Sequence, residues 1–256
     1  MNEQQKLPSR TLWAVALRSL VLQASWSFGR MQNLGFLFAV LPALRRIYHG
    51  QELQDVCKRN LAYFNSNPVL AFPIIGASLR LEEKKSCGED LVMEVEEFKS
   101  ALAGPCAAMG DSFFWATLRP LAAIIGVWLA FAGYWWAVPV FLVLYNVPSI
   151  VLRFYGFRLG YQRDYKIVDN LQRWRLSDLA YRLRFILVVV LGGFSAWVAF
   201  SGIENLHQST MWGWVTVPGV VIAGSFVRRG LSSLVMLIGL VVLLWIGLHL
   251  CTSLRF

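Results

Sequence analysis

Residues 100–152 read SALAGPCAAMGDSFFWATLRPLAAIIGVWLAFAGYWWAVPVFLVLYNVPSIVL, and this stretch contains only two charges, Asp111 and Arg119. From Leu121 to Leu152 there is none, and a helix crosses a bilayer core with about twenty apolar residues. Gly104–Pro105 and Gly110–Asp111 are expected to break the first part. Tyr134, Trp135 and Trp136 sit in mid-run, and such side chains favour the water–lipid boundary. The run therefore reads as two antiparallel half-spans meeting near Gly133, or as one long span. An ionisable group inside such a region is costly and is a functional candidate by default. Asp111, Trp115 and Arg119 are spaced to share one face of a helix. That spacing has two readings, an internal Asp–Arg pair joining two broken segments and a substrate role.

Composition agrees with a membrane setting. The 256 residues are 57% hydrophobic and 15% charged, against about 45–50% and about 25% in soluble domains. Mean hydropathy is +0.52. So few charges cannot cover that much apolar surface in water. A soluble enzyme, a disordered tail and a disulfide-stapled secreted module are thereby set aside. The net charge of +9, from 24 Lys and Arg against 15 Asp and Glu, reads as basic residues retained on the cytoplasmic side of the spans. No nucleic-acid motif accompanies it. Cys57, Cys87, Cys106 and Cys251 contain no CxxC pair, and His49, His207 and His249 are scattered, so no metal spacing exists.

Outward from the central run, the chain is expected to divide into four parts. Residues 1–29 form an amphipathic N-terminal helix and not a signal peptide, with Trp13, Ala16, Leu17, Leu20 and Ala24 at helical spacing. Residues 30–165 form a membrane core. Its apolar runs Leu34–Leu44 and Pro68–Leu79 are too short to span and are interrupted by Pro42, Pro73 and Gly76, the pattern of broken or re-entrant helices. Asn67 suits an N-cap and Pro68 a first helical position. Between 80 and 99 lie seven of the fifteen acids, read as a solvated arm. Residues 166–184 form a basic cytoplasmic segment; Arg153 to Arg184 includes eight basic residues against Asp164, Asp169 and Asp178. Residues 185–256 hold about three transmembrane helices, with residues 203–211 outside. The fold class is an all-α polytopic membrane protein.

Several stretches then resemble one family. MQNLGF at 31–36, LPALRRIY at 41–48, KRNLAYFNSNPVLAFPIIGASLRLEE at 58–83, GPCAAMGDSFFWATLRPLAA at 104–123 and LYNVPSIVLRFYGFRLGY at 144–161 resemble, in order, the IID component of the mannose/fructose/sorbose-family phosphotransferase system. The resemblance covers roughly residues 30–165. It implies a multi-pass protein of the bacterial cytoplasmic (inner) membrane, and the placement of basic residues puts the N-terminus in the cytoplasm. It implies an obligate IIC membrane subunit, a hexose substrate, and soluble IIB and IIA phosphocarriers, IIB phosphorylating the sugar on arrival. The subunit itself would be non-catalytic, without phosphohistidine or cofactor. Family members usually carry Asn-x-His-Pro where this chain has Asn65-Ser66-Asn67-Pro68, and Gly-Asp-Pro where it has Gly110-Asp111-Ser112.

A sugar site needs amides and carboxylates for hydroxyls and an aromatic face for the ring. Asn33, Asn65, Asn67 and Asp111 are candidates for the first, Trp115 with Phe114 for the second, and Arg119 for gating. Should the sugar sit mainly in the IIC partner, these residues would serve closure of the pair. Two other readings stand beside transport. One is a degenerate IID-like protein that senses or scaffolds without transport. The other is a membrane-embedded enzyme using Asp111 and Arg119, for which no nucleophile–base pair is visible.

Overall fold

A computed structural model describes residues 6–205 and parts of 218–245. It divides into two units, residues 1–191 and 192–256. Among the described residues every regular element is helical; two isolated bridges, Ser27–Met31 and Met31–Phe64, are the extended pairings.

The helix at the centre of the first unit is α4. To reach it the chain passes α1 (Ser9–Arg18), a short 3₁₀ turn (Ser19–Val21), α2 (Asn33–Ile47) and α3 (Gly50–Asn60). Then α4 (Ala71–Ser86) is buried from Ala71 to Leu79 without interruption. A helix apolar on all sides must be enclosed by others. At sixteen residues it is about 24 Å long, short of a bilayer crossing.

The chain continues as one helical run from Val95 to Phe131 and, after a turn, through α7 (Ala137–Arg163). The first run is α5 (Val95–Gly110), an eight-residue π-helical segment (Asp111–Leu118) and α6 (Arg119–Phe131). Pro105 is accommodated inside α5, so Gly104–Pro105 does not break the helix. The expected break at Gly110–Asp111 is instead a widening of the turns. The turn after α6 has Gly133 at φ 82°, a left-handed conformation that glycine adopts without steric cost. Folding back, α7 packs on α6, where Phe141 approaches Gly126. After α7 come a 3₁₀ turn (Asp164–Lys166), α8 (Ile167–Arg173) and α9 (Leu176–Asn205). The expected loop 203–211 and the last two spans lie largely outside the described residues.

The tightest packing is α4 against α7. A Cβ on Gly76 would sit 2.2 Å from the Phe157 carbonyl oxygen, and one on Gly160 would sit 2.1 Å from that of Pro73. Gly156 meets the Pro73 ring. Gly156 and Gly160 form a small-xxx-small pair, which lets two helix backbones touch. The N-terminal half of α7 exposes Val138, Leu142, Val143, Val147, Ile150 and Val151. Two polar side chains of α7 fold onto its own backbone, Asn146 donating to the Leu142 carbonyl at 2.9 Å and Ser149 to that of Tyr145 at 2.7 Å. That is how a helix facing hydrocarbon keeps its polar groups satisfied.

The acidic stretch differs from the solvated arm that the sequence suggests. Glu89, Asp90 and Glu94 are exposed, but Glu82 and Glu83 are 2% and 3% exposed on α4. Glu82 accepts from Arg59 at 2.9 Å through each oxygen and from the Tyr48 hydroxyl at 2.8 Å. Burial and then the Glu82 charge push the Tyr48 hydroxyl above its ordinary pKa. Burial opposes the charge on Arg59, and Glu82 outweighs it, raising the guanidinium. Glu83 accepts from the Leu7 amide at 2.6 Å, Tyr161 at 2.7 Å and Arg80 at 3.0 Å, tying the N-terminal segment to α4 and α7. The N-terminal helix also divides its apolar residues differently from the expected single stripe. Thr11, Val15 and Ala16 face inward, Trp13, Leu17 and Leu20 face out, and Ala24 lies beyond the helix end.

Candidate functional site

The two polar loops of the core meet beside the π-helical segment. Asn67 is 1% exposed. Its Oδ1 accepts from the Val69 amide at 2.9 Å, and its carbonyl accepts from Ala71 at 2.8 Å. Asn67 therefore caps a turn over Pro68–Leu70, and α4 begins at Ala71 rather than at Pro68. Its amide nitrogen donates to Asp111 Oδ1 at 2.9 Å. Gly110 makes this approach possible, because a Cβ there would lie 2.3 Å from that of Asn67. The bond joins the loop before α4 to the first residue of the π-helical segment, 44 positions away.

Asp111 does not pair with Arg119. Among the described residues its carboxylate bonds Asn67 alone, through Oδ1, and Arg119 is exposed at the start of α6. A π-helix turns by i→i+5 bonds; Thr117 Oγ1 reaches the Ser112 carbonyl at 2.8 Å in that register. π-Segments inside α-helices are frequent at functional sites.

A cavity of about 410 Å³ opens beside Asp111, within the range typical of small-molecule sites, and Asn65, Asp111 and Trp115 line it. Asn67 stands behind Asp111. Asn33 is directed elsewhere: its amide donates to the Leu61 carbonyl at 2.8 Å and its Oδ1 caps the Leu34 amide, so it fixes the start of α2. Phe114 is fully buried in the core. Of the residues singled out in the sequence, three thus share the cavity, one braces it, and Asn33, Phe114 and Arg119 lie apart.

The far wall comes from residues not among the sequence's site candidates. Gln23, Trp26, Met31 and Gln32 lie in the loop between α1 and α2. Gln32 clamps the Ser66 backbone, donating to its carbonyl at 2.8 Å and accepting from its amide at 3.1 Å. Met31 takes φ 54°, a left-handed conformation that costs a non-glycine residue about 1–3 kcal/mol. Bonds in both directions with Ser27, at 3.1 and 2.8 Å, hold it there. Periodicity cannot reveal such a loop; the amides Gln23 and Gln32 flanking the single indole of Trp26 were the available clue. Among the described residues no cluster of His, Cys, Asp or Glu suited to a metal occurs.

The profile of the mannose/fructose/sorbose-family IID component of the phosphotransferase system matches residues 6–251. The mannose-specific EIID component of Escherichia coli K12 is 34% identical over 192 residues, which is 74% of this chain and 68% of that one. The fructose permease IID component of Bacillus subtilis is 26% identical over 264 residues, covering 95% and 96% of the two chains. Among solved structures, a chain described as a membrane protein superposes with a TM-score of 0.77 at 28% identity, over 95% of this chain and 97% of that one. A chain of the mannose transporter ManYZ, solved with microcin E492, superposes at 0.60 and 27% identity, over 96% and 97%. With a whole-length profile match and the helical runs long and apolar enough to cross a bilayer, the chain belongs to the IID components of the mannose-family phosphotransferase system, membrane subunits of a sugar transporter.

Proposed function

We propose that this subunit, together with a IIC-type membrane subunit, forms the path by which a hexose enters the cell, and that a soluble IIB protein charged by IIA phosphorylates the sugar on arrival. Pairing is supported by the ManYZ likeness and by the apolar outer face of α7. The observation that carries a role in the sugar path is the cavity at Asp111, set on a widened turn in the middle of an apolar helical run. Asn65, Asp111 and Trp115 are what a passing sugar meets. Asn67 positions Asp111, Asn33 secures the loop beside it, and Arg119 faces closure of the pair. The short helices α2 and α4 act as the broken, membrane-embedded elements of the core, and about three spans follow after residue 185.

Asp111→Asn keeps an acceptor for Asn67 but loses the charge. Sugar uptake per assembled complex is expected to fall about tenfold, the scale of one charge-assisted hydrogen bond, with complex yield unchanged. A double-mutant cycle with Asn67→Ala separates positioning from contact. If Asp111 serves only to hold Asn67, uptake per complex in Asp111→Asn stays normal, and Asp111 leaves the sugar path.

The orientation is a bacterial inner-membrane protein with the N-terminus, residues 82–99 and residues 153–184 in the cytoplasm, and 203–211 outside. A cysteine introduced at Asn205 is expected to react with an impermeant thiol reagent added to intact cells, and one at Arg173 is not. The reverse pattern inverts the topology.

A further inference from the structure

Arg153 is the first charge after the uncharged run from Leu121 to Leu152, and it is half-buried on α7. Its guanidinium lies over the ring of Phe72, 5.7 Å from the centroid, and Phe72 is fully buried on α4. An aromatic face attracts a cation, but it offers no ordinary acceptor to the five N–H donors of an arginine. Arg153 Nε is buried and has no hydrogen-bond partner among the described residues. The ion pairs among those residues use Lys58, Arg59, Arg80, Lys84, Lys85 and Arg175, and Arg153 belongs to none of them. Buried polar atoms are nearly always paired, and a cation left over calls for an anion.

The surroundings indicate which anion. Here α1 meets α7: the Trp13 ring stands 5.7 Å from that of Phe154, the residue after Arg153. Trp13 and Leu17 on α1 are exposed, and so is Ile150, one turn before Arg153 on α7. A helix rises about 25 Å from Trp136 to Arg153, close to the ~30 Å of a hydrocarbon core. Tyr134, Trp135 and Trp136 then mark one water–lipid boundary, and Trp13 with Arg153 the other. Arg10, one turn before Trp13, and Arg158 add exposed cations at this second boundary. The phosphodiester of a phospholipid lies at that depth, and a guanidinium fork can take two of its oxygens at once. The further cations favour a lipid of net negative charge over one whose headgroup ammonium cancels the phosphate.

We infer that Arg153 and Trp13 hold the headgroup of an anionic phospholipid where α1 meets α7. The phosphate supplies the counter-charge that the described protein lacks, and the Trp13 ring covers the headgroup boundary beside it. The lipid fastens the N-terminal helix to α7 from the membrane side, as Glu83 does from within by accepting from the Leu7 amide and from Tyr161. The site shares no residue with the cavity at Asp111.

The test uses protein purified from its native membrane in mild detergent, with the subunits that accompany it. Thermal unfolding is followed while dioctanoyl phosphatidylglycerol is added. The unfolding midpoint is expected to rise, and dioctanoyl phosphatidylcholine to need about fivefold more lipid for the same rise. Inorganic phosphate is expected to give no rise. Arg153→Gln is expected to weaken the response to phosphatidylglycerol about tenfold. Arg153→Lys keeps the charge without the planar fork and is expected to weaken it about threefold, as is Trp13→Ala. Lys58→Gln removes an exposed cation from α3 and is expected to leave the response unchanged. If Arg153→Gln does not accumulate, Arg153→Lys and Trp13→Ala decide the matter through the same readout. Equal response to the two lipids, a phosphate response matching that to phosphatidylglycerol, or equal weakening in Lys58→Gln and Arg153→Gln overturns the headgroup site. So does release of an accompanying IIC subunit by Arg153→Gln, which would show the guanidinium paired with a carboxylate of that subunit.

Discussion

Gly160→Ala is expected to cost this protein about 3 kcal/mol or more, and Gly160→Leu to prevent accumulation of a folded subunit. The added Cβ would lie 2.1 Å from the Pro73 carbonyl oxygen and 3.0 Å from the Ala77 amide nitrogen. Both are backbone atoms, so no side-chain rotation relieves the clash. Overpacking that must be absorbed by backbone lies at or beyond the top of the usual 1–3 kcal/mol range. The two helices would have to separate, and α4 is the enclosed centre of the unit. Gly104→Ala is the matched control. It lies inside α5, nothing stands within 4 Å of its Cβ, and a helical Gly→Ala change there should be neutral or stabilise by about 0.5–1 kcal/mol. Thermal unfolding of detergent-purified complex, with membrane yield as the readout for Gly160→Leu, compares the two. Equal stability of Gly160→Ala and Gly104→Ala would remove the backbone contact between α4 and α7.

What was legible in the sequence depended on whether a signal was local. The apolar runs, the helix-terminal turn at Gly133 and the family-like stretches each declare themselves within a few residues. The Gly156–Gly160 pair was equally local, yet it was embedded in a basic, aromatic stretch where charge drew the reading toward topology. Asp111 stood out as an isolated charge, but its partner did not. Spacing along a regular helix points to Arg119, whereas Asn67, 44 residues upstream, supplies the bond. The cavity wall from Gln23 to Gln32 was the least legible part. Its residues have no period, and only the fold brings them opposite Trp115.

The burial of Glu82 is equally non-local, and its removal is the second large effect to expect. Composition places a glutamate in a run of acids in water, but Arg59, 23 residues away, and Tyr48, 34 residues away, draw it into the core. Glu82→Leu would strand a guanidinium that is 26% exposed, together with a buried phenol. Removing one partner of a buried pair costs about 3–5 kcal/mol, because the other is left uncompensated. The partial exposure of Arg59 places the expected loss near the lower end, about 3 kcal/mol. Arg59→Leu should cost a similar amount, since it leaves the carboxylate behind. Combining Glu82→Leu with Arg59→Leu removes both charges, so the double variant should be less destabilised than the sum of the singles, by about 1–3 kcal/mol. Tyr48→Phe, which deletes one 2.8 Å bond to the carboxylate, should cost about 1–2 kcal/mol. All four are read as unfolding of the purified complex under one set of conditions. Strict additivity of Glu82→Leu and Arg59→Leu would show that the two side chains act independently and that the pair does not anchor α3 to α4.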